Sequence, residues 1–106
     1  MNEIISSADI VYFTLIAGRS SKDELLTAIM EAKGRLINIF YGKSSVKSPM
    51  LLDILGFVPE ENKVLITCLM RRENAERLLS VLKEDYDFKK PNTGIAFIIP
   101  IDKLSF

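Results

Sequence analysis

Ile10-Val11-Tyr12-Phe13-Thr14-Leu15-Ile16, closed by Gly18, is a run of β-branched and aromatic residues, and it reads as a strand. Ile10 and Tyr12 would point to one side of a sheet, Val11, Phe13 and Leu15 to the other, so both faces are apolar. Val64-Leu65-Ile66-Thr67-Cys68-Leu69-Met70 repeats the pattern, and so does Ile95-Ala96-Phe97-Ile98-Ile99, stopped by Pro100. A sheet with one wet face alternates apolar and polar residues along each strand. These strands do not. Leaving the second face open would expose several hundred Å² of contiguous apolar surface, roughly the upper limit for a monomer. A stable interface, by comparison, buries about 800 Å² on each partner. The strands therefore predict a homo-oligomer. The competing arrangement folds the final segment or residues 50–58 over the open face.

Helical spacing fills the gaps between the strands. Ser20 and Ser21, each followed three residues later by an acid (Asp23 and Glu24), predict a capping box at a helix start. Leu25, Leu26, Ile29 and Met30 recur on one helical face, and Gly34 is expected to end the helix in a left-handed turn. Leu36 to Tyr41 reads as a second strand, stopped by Gly42. A second helix is expected from about Glu73 to Glu84, with Ala75, Leu78, Leu79 and Leu82 inward. The order is βαββαβ, two strand–helix–strand halves. Right-handed crossovers place both helices on one side of the sheet. The expected fold is an α+β ferredoxin-like sandwich, a four-stranded antiparallel sheet with two helices on one face. Residues 1–106 read as one domain, interrupted by a long loop over about 43–62.

Composition narrows the chemistry. The 14 Lys and Arg balance the 14 Asp and Glu, which gives no whole-chain reason to expect nucleic acid. There is no histidine, so the commonest acid–base group and the commonest metal ligand are both absent. Asp23, Glu24, Glu31, Asp85 and Asp87 lack the spacing of a ligand set, and no dedicated metal site is expected. Cys68 is the only cysteine; mid-strand among apolar neighbours, it reads as a small core residue in a reducing, cytoplasmic protein. The first residues show no signal-peptide pattern, and no apolar run approaches the roughly 20 residues of a membrane span.

Two local matches carry a resemblance. Gly94-Ile95-Ala96-Phe97-Ile98-Ile99-Pro100 looks like the glycine, strand and proline that follow the basic loop of the PII nitrogen-regulatory signalling proteins. Phe40-Tyr41-Gly42-Lys43 resembles the end of that family's second strand, before its long effector loop. In this order within a βαββαβ chain, they make the sequence similar to PII and PII-like proteins from Ile10 to Leu104. The resemblance implies a homotrimer with its sheets facing inward and adenine-nucleotide sites (ATP, ADP or AMP) in the clefts between subunits. It also implies a non-enzymatic regulator whose long loop reports the ligand to a target protein, a transporter or an enzyme. The basic loop departs from the family: Lys89 and Lys90 precede the turn, Gly94 is its single glycine, and Ile95 stands where the family has lysine. The long loop has no tyrosine, so tyrosine uridylylation is not expected.

The candidate effector site is Gly42, Lys43, Lys89, Lys90, Thr93 and Gly94, ammonium groups and open backbone N–H groups suited to an anion. Solvated loop lysines are the plain alternative. Met50, Leu51, Leu52, Ile54, Leu55 and Phe57 form an apolar stretch that reads either as a partner-docking element or as packing within the assembly. Arg71-Arg72 opens the second helix against the macrodipole, and surface pairing with Glu73 and Glu76 accounts for it more simply than an anion site. Two other functions share the architecture. A CutA-like metal-responsive trimer is disfavoured by the missing histidine. An acylphosphatase-like enzyme would need Arg19, in Gly18-Arg19-Ser20-Ser21, to act with Asn38.

Overall fold

In the computed structural model, which describes residues 9–43, 62–88 and 94–102, β1 (Ile10–Gly18) is followed by a 3-10 turn (Arg19–Ser21), α1 (Lys22–Glu31) and β2 (Arg35–Lys43). The second half repeats the order as β3 (Asn62–Arg71), α2 (Arg72–Asp85) and β4 (Gly94–Pro100). The sheet order is β2-β3-β1-β4, with every neighbouring pair antiparallel. This is the ferredoxin-like sandwich that the strand and helix spacing predicts.

The alternation of the strands decides which face meets the helices. Val11, Phe13, Leu15 and Ala17 of β1 lie with Val64, Ile66, Cys68 and Met70 of β3, all buried. Leu25, Ala28 and Ile29 of α1 and Ala75, Leu78 and Leu82 of α2 close over them to form one core. Burying each such aliphatic side chain contributes about 1.5–3 kcal/mol relative to exposure. Among the described residues no helix covers the opposite face, and Phe40, Phe97 and Ile99 on it stand 55%, 40% and 45% exposed. Both faces are therefore apolar, as the strands predict, and among the described residues the helices cover only one.

Two local expectations are corrected. Ser21 does not make the capping box at the start of α1: as N-cap it forms no side-chain cap bond, and the backbone N–H of Lys22 instead donates to the Arg19 carbonyl. A 3-10 turn ahead of the helix thus partners N–H groups that a capping side chain would otherwise serve. Gly34 is also not the left-handed residue. Lys33 takes that conformation, at φ 62, and the Gly34 N–H donates to the Ile29 carbonyl at 3.0 Å. Position 34 requires glycine for space: a Cβ there would lie 2.6 Å from Ile29 Cγ2 and 3.2 Å from Cys68 Sγ. β2 then begins irregularly, its register shifting between Arg35 and Asn38, with Leu36 at φ 51. Ile37 within the shift and Ile39 beyond it pack on the core.

Candidate functional site

The register brings four chain segments to one end of the sheet. Gly42 pairs with Lys63, Lys63 with Gly18, and Ala17 with Gly94. Gly42 and Lys43 close β2 at one edge, while Gly94 opens β4 at the other. Strands lie about 4.8 Å apart, so three spacings separate these edges by about 14 Å. A single chain thus places the two described parts of the predicted effector site at the same end of the sheet but on opposite edges. Lys89, Lys90 and Thr93, and the apolar stretch Met50, Leu51, Leu52, Ile54, Leu55 and Phe57, lie outside the described residues.

At the β2 edge, Ile16, Phe40, Tyr41, Gly42, Lys63 and Leu65 line a shallow hollow of about 230 Å³. Among the described residues, a Cβ at position 42 would meet nothing within 4 Å, which leaves the backbone of Gly42 open to approach from them. Beside it stands a cluster that the sequence reading did not assemble. The Arg19 guanidinium lies 4.7 Å from the centroid of the Tyr41 ring, and the Lys22 ammonium lies 5.6 Å from it. Lys22 Nζ also donates a 3.2 Å hydrogen bond to the Tyr41 hydroxyl and lies 3.7 Å from an Asp23 carboxylate oxygen. The Tyr41 contact first, and Asp23 second, hold the Lys22 pKa above its ordinary 10.5. Two cations on one exposed aromatic ring make this edge locally basic in a chain of zero net charge.

At the β4 edge, Leu79, Leu82, Lys83, Phe88, Gly94 and Ala96 surround a second hollow of about 210 Å³. The Phe88 ring lies so close over position 94 that a Cβ there would stand 2.6 Å from its Cζ. Glycine is required here for close packing. None of the described glycines has positive φ, so the conformational freedom of a phosphate-cradling loop is not in use at Gly42 or Gly94.

Other candidates resolve more plainly. Arg71 and Arg72 stand with Asp9, Glu73 and Glu76 around a hollow at the opposite end of the sheet, a mixed-charge surface. Cys68 is buried, and desolvation pushes its thiol up to about 11, which suits a core residue rather than a nucleophile. Asn38 sits in register with Thr67 and Thr14, and its amide donates to the Leu36 carbonyl at 3.1 Å. Arg19 lies beyond the end of β1, about 15 Å along the strand direction from that row. The pair that an acylphosphatase-like reaction would need does not converge. Among the described residues no group of three His, Cys, Asp or Glu side chains could hold a metal ion, and no helix is long and apolar enough to cross a membrane.

No family model matches the sequence, and no curated protein matches it. Solved structures do share the fold. A protein from Thermus thermophilus assigned to the PII-like signalling class superposes with a TM-score of 0.62 at 17% identity, over 86% of this chain and 85% of the other. CPII from Thiomonas intermedia, solved with ADP, AMP and acetate, superposes with a TM-score of 0.65 at 16% identity, over 87% and 85% of the two chains. The periplasmic divalent cation tolerance protein CutA from Archaeoglobus fulgidus superposes with a TM-score of 0.59 at 15% identity, over 91% and 87%.

Proposed function

We propose that this chain, which carries the fold of the PII-like signalling proteins, is a non-enzymatic cytoplasmic regulator. It acts as a homotrimer that binds a small anionic effector between subunits and regulates a partner protein. The observation that carries the reading is the split site. Gly42 and Lys43 mark one edge of the sheet and Gly94 the other, so an anion bridging them needs two copies of the chain. Contact between unlike edges is heterologous, and such contacts close into rings when the rotation allows. An inward-facing ring also covers Phe40, Phe97 and Ile99.

In this arrangement Lys43 from one copy and Lys89 and Lys90 from the next neutralise the phosphates. Thr93 and the open backbone at Gly42 and Gly94 supply further hydrogen bonds. The exposed ring of Phe40 offers a stacking surface for a base beside the hollow at the β2 edge. The bound ADP and AMP of CPII make adenine nucleotides the first effectors to examine. The stretch Met50 to Phe57 is the segment assigned to partner contact.

Calorimetric titration of ATP, ADP and AMP tests the reading. Binding is expected in the wild type, with Lys89→Ala plus Lys90→Ala abolishing it while leaving the assembly intact. Nucleotide affinity unchanged in that double variant would remove the lysines from the site. A wild type that binds none of the three would remove the nucleotide. Likeness to CutA supports the competing metal-responsive reading, which predicts a thermal shift with divalent cations instead.

A further inference from the structure

A hollow of about 510 Å³, more than twice the size of either edge hollow, lies in the groove between α1 and α2. That volume is in the range of small-molecule sites. β1 and β3 run in opposite directions, so the helices that follow them do too. The Tyr86 hydroxyl donates to the Glu24 carbonyl at 3.5 Å, which joins the end of α2 to the first turn of α1. The floor of the groove is apolar: Ala28 and Leu78 are buried, and Ala32 and Val81 beside them are half-buried. Its polar groups sort along its length. Asn74 and Arg77, early in α2, share one end with Glu31 at the close of α1, and Asp85 stands with Tyr86 at the other. Among the described residues Glu31, Arg77 and Asp85 form no ion pair, not even with one another. Three charges of both signs thus surround an apolar floor without neutralising each other.

We propose that this groove binds an α-amino acid whose side chain ends in a cation: lysine, ornithine or arginine. Each charge on such a molecule then has one counterpart. The Arg77 guanidinium takes the carboxylate in its two-pronged geometry, and the Asn74 amide adds a further donor. Glu31, on the facing helix, takes the α-ammonium. The aliphatic stem lies along the apolar floor and its cation ends at Asp85, where the Tyr86 ring adds a π face. The lengths agree. Arg77 and Asp85 are eight residues apart, about 12 Å along the helix. A hydrogen bond at each end takes up about 3 Å, which leaves about 6 Å, close to the extended stem of a lysine. A neutral amino acid leaves Asp85 without a counterion, and an acidic one sets a second carboxylate against it. The groove lies on the helix side of the sheet, so it is separate from the effector site proposed above and does not depend on it.

The test is calorimetric titration of the full-length protein with lysine, ornithine, arginine, norleucine and glutamate. Norleucine keeps the stem of lysine and lacks its terminal ammonium. The basic amino acids are expected to bind about tenfold or more tightly than norleucine, because only they reach Asp85 with a charged donor. Glutamate should not bind at the same concentrations. Asp85→Asn should bring lysine down to the affinity of norleucine, and Arg77→Gln should weaken lysine by about tenfold or more. Both residues are exposed, so neither change touches the core, and circular dichroism confirms that each variant melts cooperatively. A wild type that binds no basic amino acid, or that binds lysine and norleucine alike, would overturn the proposal. Lysine binding unmoved by both substitutions would overturn it as well.

Discussion

Replacing Gly34 with alanine places a methyl group at the tightest junction between α1 and the sheet. The new Cβ would stand 2.6 Å from Ile29 Cγ2, 3.2 Å from Cys68 Sγ and 3.3 Å from the Ile29 carbonyl oxygen. Carbon atoms settle about 3.5–4.0 Å apart, so the first contact must open by about 1 Å. Neither neighbour yields easily. Ile29 and Cys68 are both fully buried, and a β-branched side chain on a helix has one strongly preferred rotamer. Overpacking of this kind costs about 1–3 kcal/mol. Alanine restricts the unfolded chain and returns about 0.4–1 kcal/mol where its backbone conformation fits. The net expectation is a loss of about 1–2 kcal/mol, or roughly 5–10 °C in Tm. Urea unfolding at fixed protein concentration measures it as a lower midpoint with an unchanged slope. Ile29→Leu removes the offending Cγ2 at a cost usually below about 1.5 kcal/mol on its own. Ile29→Leu with Gly34→Ala should therefore be more stable than the sum of the two single changes. A Gly34→Ala protein as stable as wild type would refute the reasoning, because the entropic gain would then be acting without the clash.

Other perturbations reach different parts of the molecule. The Cys68 thiol, raised by burial from 9.0 to about 11, contributes stability that is complete below pH 9 and falls as the pH rises toward 11, where the unfolded chain releases its proton first. Urea midpoints across that range should fall less steeply in Cys68→Ala than in wild type, and equal slopes would contradict the assignment. Tyr41→Phe deletes the acceptor of the 3.2 Å bond from Lys22, so the Lys22 pKa should move down toward 10.5 in an NMR titration of its ammonium group. An unmoved value would mean that the contact does not persist in solution. Phe97→Asp places a carboxylate on the sheet face opposite the helices, at a position already 40% exposed in the single chain. It should dissociate the assembly while the fold survives, measured by light scattering and circular dichroism together; an intact oligomer would remove this face from the interface.

The fold was legible because its signals are local. Strand runs such as Ile10 to Ile16, the helical spacing of Ala75, Leu78 and Leu82, and the order of elements needed no knowledge of distant contacts. The capping expected of Ser21 misled because a capping box and a 3-10 turn use the same residues, and only backbone geometry separates them. Gly34 was rightly placed at a helix end, but its neighbour Cys68 is far along the chain, so its steric role was hidden. The site was legible only in pieces. That Gly42 and Gly94 share one end of the sheet on opposite edges follows from strand order, which local patterns do not encode. The stacking of Arg19 and Lys22 on Tyr41 likewise depends on the end of β2 reaching back to the turn after β1.

The central claim, an inward-facing homotrimer whose effector site needs two copies, is tested most directly by the mass of the wild-type protein in solution. Light scattering behind size exclusion at micromolar concentration should give a single species of three times the 12.0 kDa chain. A clean peak at 12.0 kDa would contradict the account.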